Sequence, residues 1–329
     1  MASQRRQRVR DGVRRLVIGW CALSAALVAH GFSHAGDKLS IYTYSDTKAL
    51  VTLVEDAARL MERDGEAAFK QFAVRGSRWL NGDLYLFAYT IDGVCVFHPI
   101  TPELVGRNVL DLRDLHGKPI IQNVTDIGRK PGPDASGWVF YFWENQVQLT
   151  PSWKSTYVRK VLGPNGKTYV VGAGLYDIKV ERMFIEDRVN LAADVLKRDG
   201  KEAAFKQFQN PASPFFFLNS YIFVLNEEGT TIIDPAFPTL AGRDLRDFTD
   251  VVGFRPIKEV LAKLKDTDAA WVQYLWLKPG SPTPQRKLIY ARKQVIGDET
   301  LIVGSDFFVA TPIWMRVEDD RSWPRSPPG

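Results

Sequence analysis

RDGEAAFKQF at residues 63–72 returns as RDGKEAAFKQF at residues 198–208, and this return decides how the rest of the chain is read. Outward from it, the same order of motifs occurs twice. HPITPELVGRN (98–108) aligns without a gap to DPAFPTLAGRD (234–244), and GWVFYFW (137–143) to AWVQYLW (270–276). YVRK (157–160) then matches YARK (290–293), and VGAGLY (171–176) matches VGSDFF (303–308). Five matches in one order, about 135 residues apart, mark a duplicated domain rather than a solenoid of short units. A chain of 329 residues is long enough for two ordinary domains.

Each copy reads in the same way. Leu50, Leu53, Val54, Ala57, Ala58 and Met61 recur at helical spacing, as do Leu191, Ala192, Val195 and Leu196 in the second copy. Arg-Asp-Gly breaks that helix at glycine, and a short helix carrying Ala68, Phe69 and Phe72 follows. Strands come next: Leu84 to Ile91 turns at Asp92-Gly93 and returns as Val94 to His98, and Tyr221 to Leu225 turns at Glu228-Gly229 and returns as Thr230 to Asp234. After a Pro/Gly-rich connection, short helices are expected over 119–127 and 256–265. Three further strands close each unit, over 137–143, 153–161 and 168–175, and over 270–276, 286–295 and 300–306. One helix followed by an antiparallel sheet, with helical material between strands two and three, is an α+β arrangement resembling PAS-type sensor domains. Residues 178–190 read as a helical linker running into the second copy.

The ends of the chain read differently. Arg5, Arg6, Arg8, Arg10, Arg14 and Arg15 precede an apolar run from Leu16 to Phe32 and the small-x-small site Ser33-His34-Ala35, so residues 1–35 are expected to be a signal peptide cut after Ala35. An uncleaved anchor is the competing reading, because the run is near the lower length limit for a spanning helix. Of 43 basic and 38 acidic residues, residues 1–35 hold six and one, and the rest balance to zero net charge. That balance gives no electrostatic reason to expect a nucleic acid or an anionic membrane as partner. Cys95 is then the single thiol after the leader; in the alternating strand Val94-Cys95-Val96-Phe97 it reads as a core residue. The Pro/Arg/Ser-rich stretch 313–329 is expected to be disordered.

With these motifs in hand, the chain resembles a known family, the single Cache domain of type 2. The resemblance rests on His98-Pro99, Gly106-Arg107-Asn108, Trp138, Tyr141, Trp143, Lys154, Tyr157 and Arg159, followed by Val-Gly-x-Gly-x-Tyr at 171–176. It implies two tandem PAS-like sensor domains, 36–177 and 178–312, that bind small organic acids such as acetate, propionate, lactate or pyruvate on the sheet's face, with no metal or nucleotide cofactor. The second copy departs from the pattern: Asp234 replaces His98, Asp244 replaces Asn108, and Asp306 replaces Gly174. Extra acids disfavour an anionic ligand unless they are paired, so this copy is expected to bind something else or to serve as support.

A small-carboxylate pocket needs a few fixed donors within an aromatic wall. The candidate ligand-binding residues are Tyr85, His98, Trp138, Tyr141, Trp143, Lys154, Tyr157 and Arg159, with Tyr221, Trp271, Tyr274, Lys287, Tyr290 and Arg292 as their second-copy counterparts. Side chains alternate across a sheet, so Tyr157 and Arg159 share a face while Lys154 points to the other, and Trp138 points away from Tyr141 and Trp143. Core packing is the plain alternative for each aromatic. No catalytic motif, phosphate loop or metal-ligand spacing is present in the sequence. The expected function is therefore a periplasmic sensor, not an enzyme, that passes its signal to a separate receptor, histidine kinase or transporter. An enzyme acting on a small metabolite and a structural protein with non-binding folds are the alternatives.

Overall fold

The computed structural model describes residues 38–145, 148–277 and 282–309. The expected leader at 1–35 and the expected tail at 313–329 lie outside the described residues. The chain divides into one unit ending at Lys48 and another beginning at Ala49, and both sheets belong to the second.

Helix α1 (Ser45–Asp64) ends where Gly65 takes a positive φ of 61°, a conformation that suits a residue without Cβ, and the short helix α2 (Phe69–Phe72) follows. The first sheet contains β1 (Leu80–Asn81), β2 (Leu84–Thr90), β3 (Cys95–Phe97), β4 (Ser136–Glu144), β5 (Pro151–Leu162) and β6 (Thr168–Tyr176). Its order is β1-β2-β6-β5-β4 with β3 paired to β2, antiparallel throughout. Helix α3 (Ile120–Arg129) covers one face, burying Ile120, Ile121, Val124 and Ile127 against Phe87, Tyr89, Val139, Tyr141 and Val158.

The second sheet repeats the plan with β7 (Phe223–Asn226), β8 (Thr231–Ile233), β9 (Ala269–Leu277), β10 (Pro284–Ile296) and β11 (Glu299–Phe308), in the order β8-β7-β11-β10-β9. Helix α5 (Pro256–Lys263) covers the equivalent face with Ile257 and Val260. The hairpin turns that link β2 to β3 and β7 to β8 place Gly93 and Gly229 at the same φ of 86°. This is the mixed helix and antiparallel-sheet architecture expected of tandem PAS-like domains.

Between the two sheets in sequence runs helix α4 (Arg182–Phe208), kinked at Gly200, whose φ is 78°. The helix begins at Arg182, so residues 178–181 of the expected helical linker are not helical. It touches both sheets. Phe184 packs on Trp138 and Phe140 of β4, with ring centroids 4.7 and 5.1 Å away, while Glu186 accepts a 2.7 Å hydrogen bond from the Trp271 indole of β9. Arg188, held down to about 10 by burial, donates to the Trp138 carbonyl at 3.0 Å. Lys118, pushed down to about 8 chiefly by burial, donates to the carbonyl of Ser213 and so ties the α3 approach to the second copy.

Candidate functional site

Strand register sorts the candidate residues before any distance is considered. Tyr141 sits opposite Lys154 and Trp138 opposite Tyr157, three residues apart along β4, so the two pairs lie on opposite faces. The α3 face brings together Tyr85, His98, Tyr141, Trp143 and Lys154. The other face carries Trp138, Tyr157 and Arg159. The grouping of all eight around one pocket is therefore corrected: side-chain alternation separates three of them by the thickness of the sheet.

Those three have partners on the helical side. The Tyr157 hydroxyl donates to Glu55 Oε1 at 2.9 Å, and Arg159 meets Glu55 Oε2 at 3.2 Å and Glu62 Oε1 at 3.1 Å. Both acids stand on α1. The Trp138 ring lies 5.3 Å from Tyr157 and 4.7 Å from Phe184. Trp271, Tyr290 and Arg292 repeat this arrangement in the second copy. Trp271 packs 5.0 Å from Tyr290, and Arg292 donates to Asn190 Oδ1 on α4 at 2.6 Å. These second-copy candidates are set apart from the α5-side cavity by the same alternation.

On the α3 face, Lys154 is the electrostatic centre. The residue is 1% exposed, and its Nζ lies 3.8 Å from the Tyr85 ring centroid and 4.9 Å from that of Tyr176. Among the described residues no carboxylate lies within ion-pairing distance of it, and no hydrogen bond satisfies it. Burial pushes its ammonium down to about 7, opposed by the Asp83 carboxylate nearby. Asp83 itself has a buried Oδ1 without a hydrogen-bond partner among the described residues.

His98 completes the donor set. The Thr101 backbone N–H donates to His98 Nδ1 at 3.0 Å, so Nδ1 is the acceptor and a neutral ring carries its proton on Nε2. Burial and the Lys154 charge hold the ring down to about 4, which keeps it neutral at pH 7. Its centroid lies 5.3 Å from Tyr85 and 6.4 Å from Trp143. Thr156 donates to the Tyr141 hydroxyl at 3.0 Å, fixing the floor. Gly174 on β6 is required there, because a Cβ would meet Thr156 Oγ1 and come within 2.9 Å of Lys154 Cε. The void left between Tyr85, Tyr89, His98, Tyr141 and Trp143 is about 10 Å³, the size of a single water.

The second copy opens the same place into a cavity of about 220 Å³. Tyr221, Tyr274 and Lys287 line it, together with Asp234, Asp306, Phe223, Leu225 and Trp276. Leu225 stands where the first copy has Tyr89, and Asp234 where it has His98, so two rings are replaced by smaller side chains. Lys287 pairs with Asp306 at 2.8 Å, and the Tyr274 hydroxyl donates to the same carboxylate at 3.4 Å. Asp306 is the residue that replaces Gly174, so the extra acid is paired. Trp276, Asp83 and Tyr176 were missed by sequence reasoning. Trp276 was legible as the counterpart of Trp143, whereas nothing in the sequence pointed to Asp83.

One acid in each copy locks the rim. Asp114 accepts the N–H groups of His116 and Lys118 on one oxygen and that of Phe142 on the other, at 2.8 to 3.0 Å. Asp250 repeats this with Val252, Phe254 and Leu275, at 2.9 Å each. Asp114 thus anchors a loop to the neighbouring strand. Cys95 is buried. Among the described residues no group of three or more His, Cys, Asp or Glu is placed to hold a metal ion.

Comparison with known proteins adds the family. A model described as a Cache domain matches residues 71–181, and one described as single Cache domain 2 matches residues 192–307. The chain carries two Cache domains in tandem. The sequence resemblance to Cache domains in tandem is thereby borne out, with the single type matched over the second copy. Cache domains are ligand-binding sensor modules of chemotaxis receptors, not an enzyme family. The chain is 33% identical over 119 residues to the methyl-accepting chemotaxis protein McpP of Pseudomonas putida, a match that covers 36% of this chain and 21% of that protein. It is similar to the crystal structure of a methyl-accepting chemotaxis protein from Vibrio parahaemolyticus, at 24% identity over 38% of this chain and 82% of that one, with a TM-score of 0.30. A Cache chemosensory domain solved to show carboxylic acid recognition gives the same identity and TM-score, covering 38% of this chain and 85% of the other. Among the described residues no helix is long and apolar enough to cross a membrane.

Proposed function

We propose that this chain is a periplasmic sensor that takes a small carboxylate at Lys154 of the first Cache domain and passes the change to a separate membrane partner, such as a receptor, histidine kinase or transporter. The observation that carries the reading is a buried lysine with no carboxylate within ion-pairing distance among the described residues, set among hydroxyl and imidazole donors. An uncompensated buried ammonium is costly, and a carboxylate ligand supplies its counter-ion. The neutral His98, donating through Nε2, adds a directional bond without adding charge. Because the void is the size of one water, an acid displaces wall side chains as it binds, and this is the strain a sensor can transmit. Helix α4 rests on the far side of β4 through Phe184 and also contacts β9, so it is the proposed route between the copies. Export follows from the arginine-rich, apolar, small-x-small pattern of residues 1–35.

A second reading rests on that same small void: the first copy is packed support and only the second binds. A thermal-shift screen of C2–C4 acids separates the two, since a ligand at a hundredfold excess over its Kd adds about 2.7 kcal/mol of stability. In the sensor reading an acid stabilises the wild-type chain, and Lys154→Met abolishes the shift. That variant removes an unpaired buried charge, so it is expected to fold at least as stably as the wild type. No acid response, or a response that survives Lys154→Met, favours packed support.

A further inference from the structure

The second cavity differs from the first in charge as well as in size. Its polar wall holds Asp234, Asp306 and Lys287. Two carboxylates and one ammonium leave it with a formal charge of −1. Lys287 and Asp306 satisfy each other at 2.8 Å, where they are 8% and 9% exposed. The lysine that lies among aromatic rings in the first copy therefore has its counterpart already paired in the second.

Asp234 is the group left over. Its Oδ1 accepts the backbone N–H groups of Ala236 at 3.1 Å and Phe237 at 2.9 Å, which fixes the carboxylate at the end of β8. Its Oδ2 takes no hydrogen bond among the described residues, and no cation lies within ion-pairing distance. Burial raises its pKa, the neighbouring Asp306 raises it further, and the two backbone bonds and Lys287 oppose the shift. The rings of Tyr221, Phe223, Tyr274 and Trp276 line the same cavity. Aromatic faces attract cations and do nothing for an anion.

We propose that the second Cache domain is a receptor for a small organic ammonium ion, with Asp234 as its counter-ion and the aromatic wall as its cage. The inference extends the sensor reading to a second ligand of opposite charge and rests on the second copy being a binding domain. A protonated amine neutralises the cavity and gives Asp234 Oδ2 the donor it lacks. An anion would be placed against two carboxylates, with Lys287 already paired to Asp306.

The test uses three probes of one carbon skeleton, n-butylammonium, butyrate and n-butanol, titrated calorimetrically into the whole chain. Butylammonium is expected to bind, and Asp234→Asn, which keeps the shape and the Oδ1 bonds, is expected to weaken it at least tenfold while leaving any butyrate response at Lys154 unchanged. Circular dichroism of Asp234→Asn checks that its fold is retained. Asp234→Glu, which restores the charge, is expected to recover part of the affinity. The inference is overturned if butylammonium does not bind, if its affinity is unchanged in Asp234→Asn, or if butyrate binds in a manner abolished by Lys287→Met. Any of these outcomes, obtained with an acid response at Lys154 intact, removes this inference and leaves the sensor reading standing.

Discussion

The two Cache domains place a lysine at the same register, Lys154 opposite Tyr141 and Lys287 opposite Tyr274, yet give it opposite surroundings. In the first copy Gly174 lies across from Thr156 and leaves the lysine among aromatic rings with no ion pair among the described residues. In the second, Asp306 lies across from Ile289 and closes an ion pair. Volume follows the same substitutions, about 10 Å³ against about 220 Å³. Among the described residues, one duplicated scaffold thus sets a lysine without an ion-pairing carboxylate beside a tight void in one copy, and a carboxylate without an ion-pairing cation in a roomy cavity in the other. The difference shows that in a tandem repeat the conserved-looking position need not keep its role, because the residue facing it decides what it can bind.

The sharpest way to break this comparison is to remove the acid. Asp306→Ala leaves Lys287 buried without its carboxylate, and the expected loss is about 3 kcal/mol in urea unfolding. A loss below about 1 kcal/mol would mean that solvent in the larger cavity already satisfies Lys287, and the contrast with Lys154 would fail. The reverse change is smaller. Gly174→Ala drives a Cβ against Thr156 and the stem of Lys154, and overpacking of this kind is expected to cost about 1–3 kcal/mol. The smallest effect belongs to the far face: Tyr157→Phe removes one hydrogen bond to Glu55 and is expected to cost about 1 kcal/mol with acid affinity unchanged. A loss of acid affinity in that variant would return Tyr157 to the binding site.

Much of this was legible in the sequence. The duplication, the hairpin glycines and the position of α3 and α5 follow from motif order and periodicity, and strict alternation along β4 and β5 already separates Trp138 and Tyr157 from Tyr141 and Lys154. The substitution of Asp306 for Gly174 was visible too, but not that it points at Lys287, because that needs the β10–β11 register. Cavity size was hidden for a similar reason. It depends on how Leu225 and Asp234 together vacate the space that Tyr89 and His98 fill, a sum over residues distant in sequence. Asp114 and Asp250 were hidden as well, since each acts on a strand some 25 residues or more away.

The central claim, that the first Cache domain binds an acid through a charged Lys154, is tested most directly by the pH dependence of propionate binding. Burial holds Lys154 at about 7, well below its ordinary 10.5, so the unfolded chain holds this proton where the folded one has lost it. Stability without ligand is therefore expected to rise as pH climbs from about 7 towards 10.5. Of the groups facing Lys154, Tyr85, Tyr141 and Tyr176 are shifted upward and His98 is held down to about 4, so none of these four titrates near neutrality; the nearby Asp83 carboxylate favours the charged lysine. Binding an anion requires the ammonium form, so calorimetry in buffers of different ionisation enthalpy should show proton uptake above pH 7. Propionate affinity should then fall about tenfold per pH unit until the bound-state value is reached. Affinity that stays flat from pH 6 to 9, or that persists in Lys154→Met, would contradict the account.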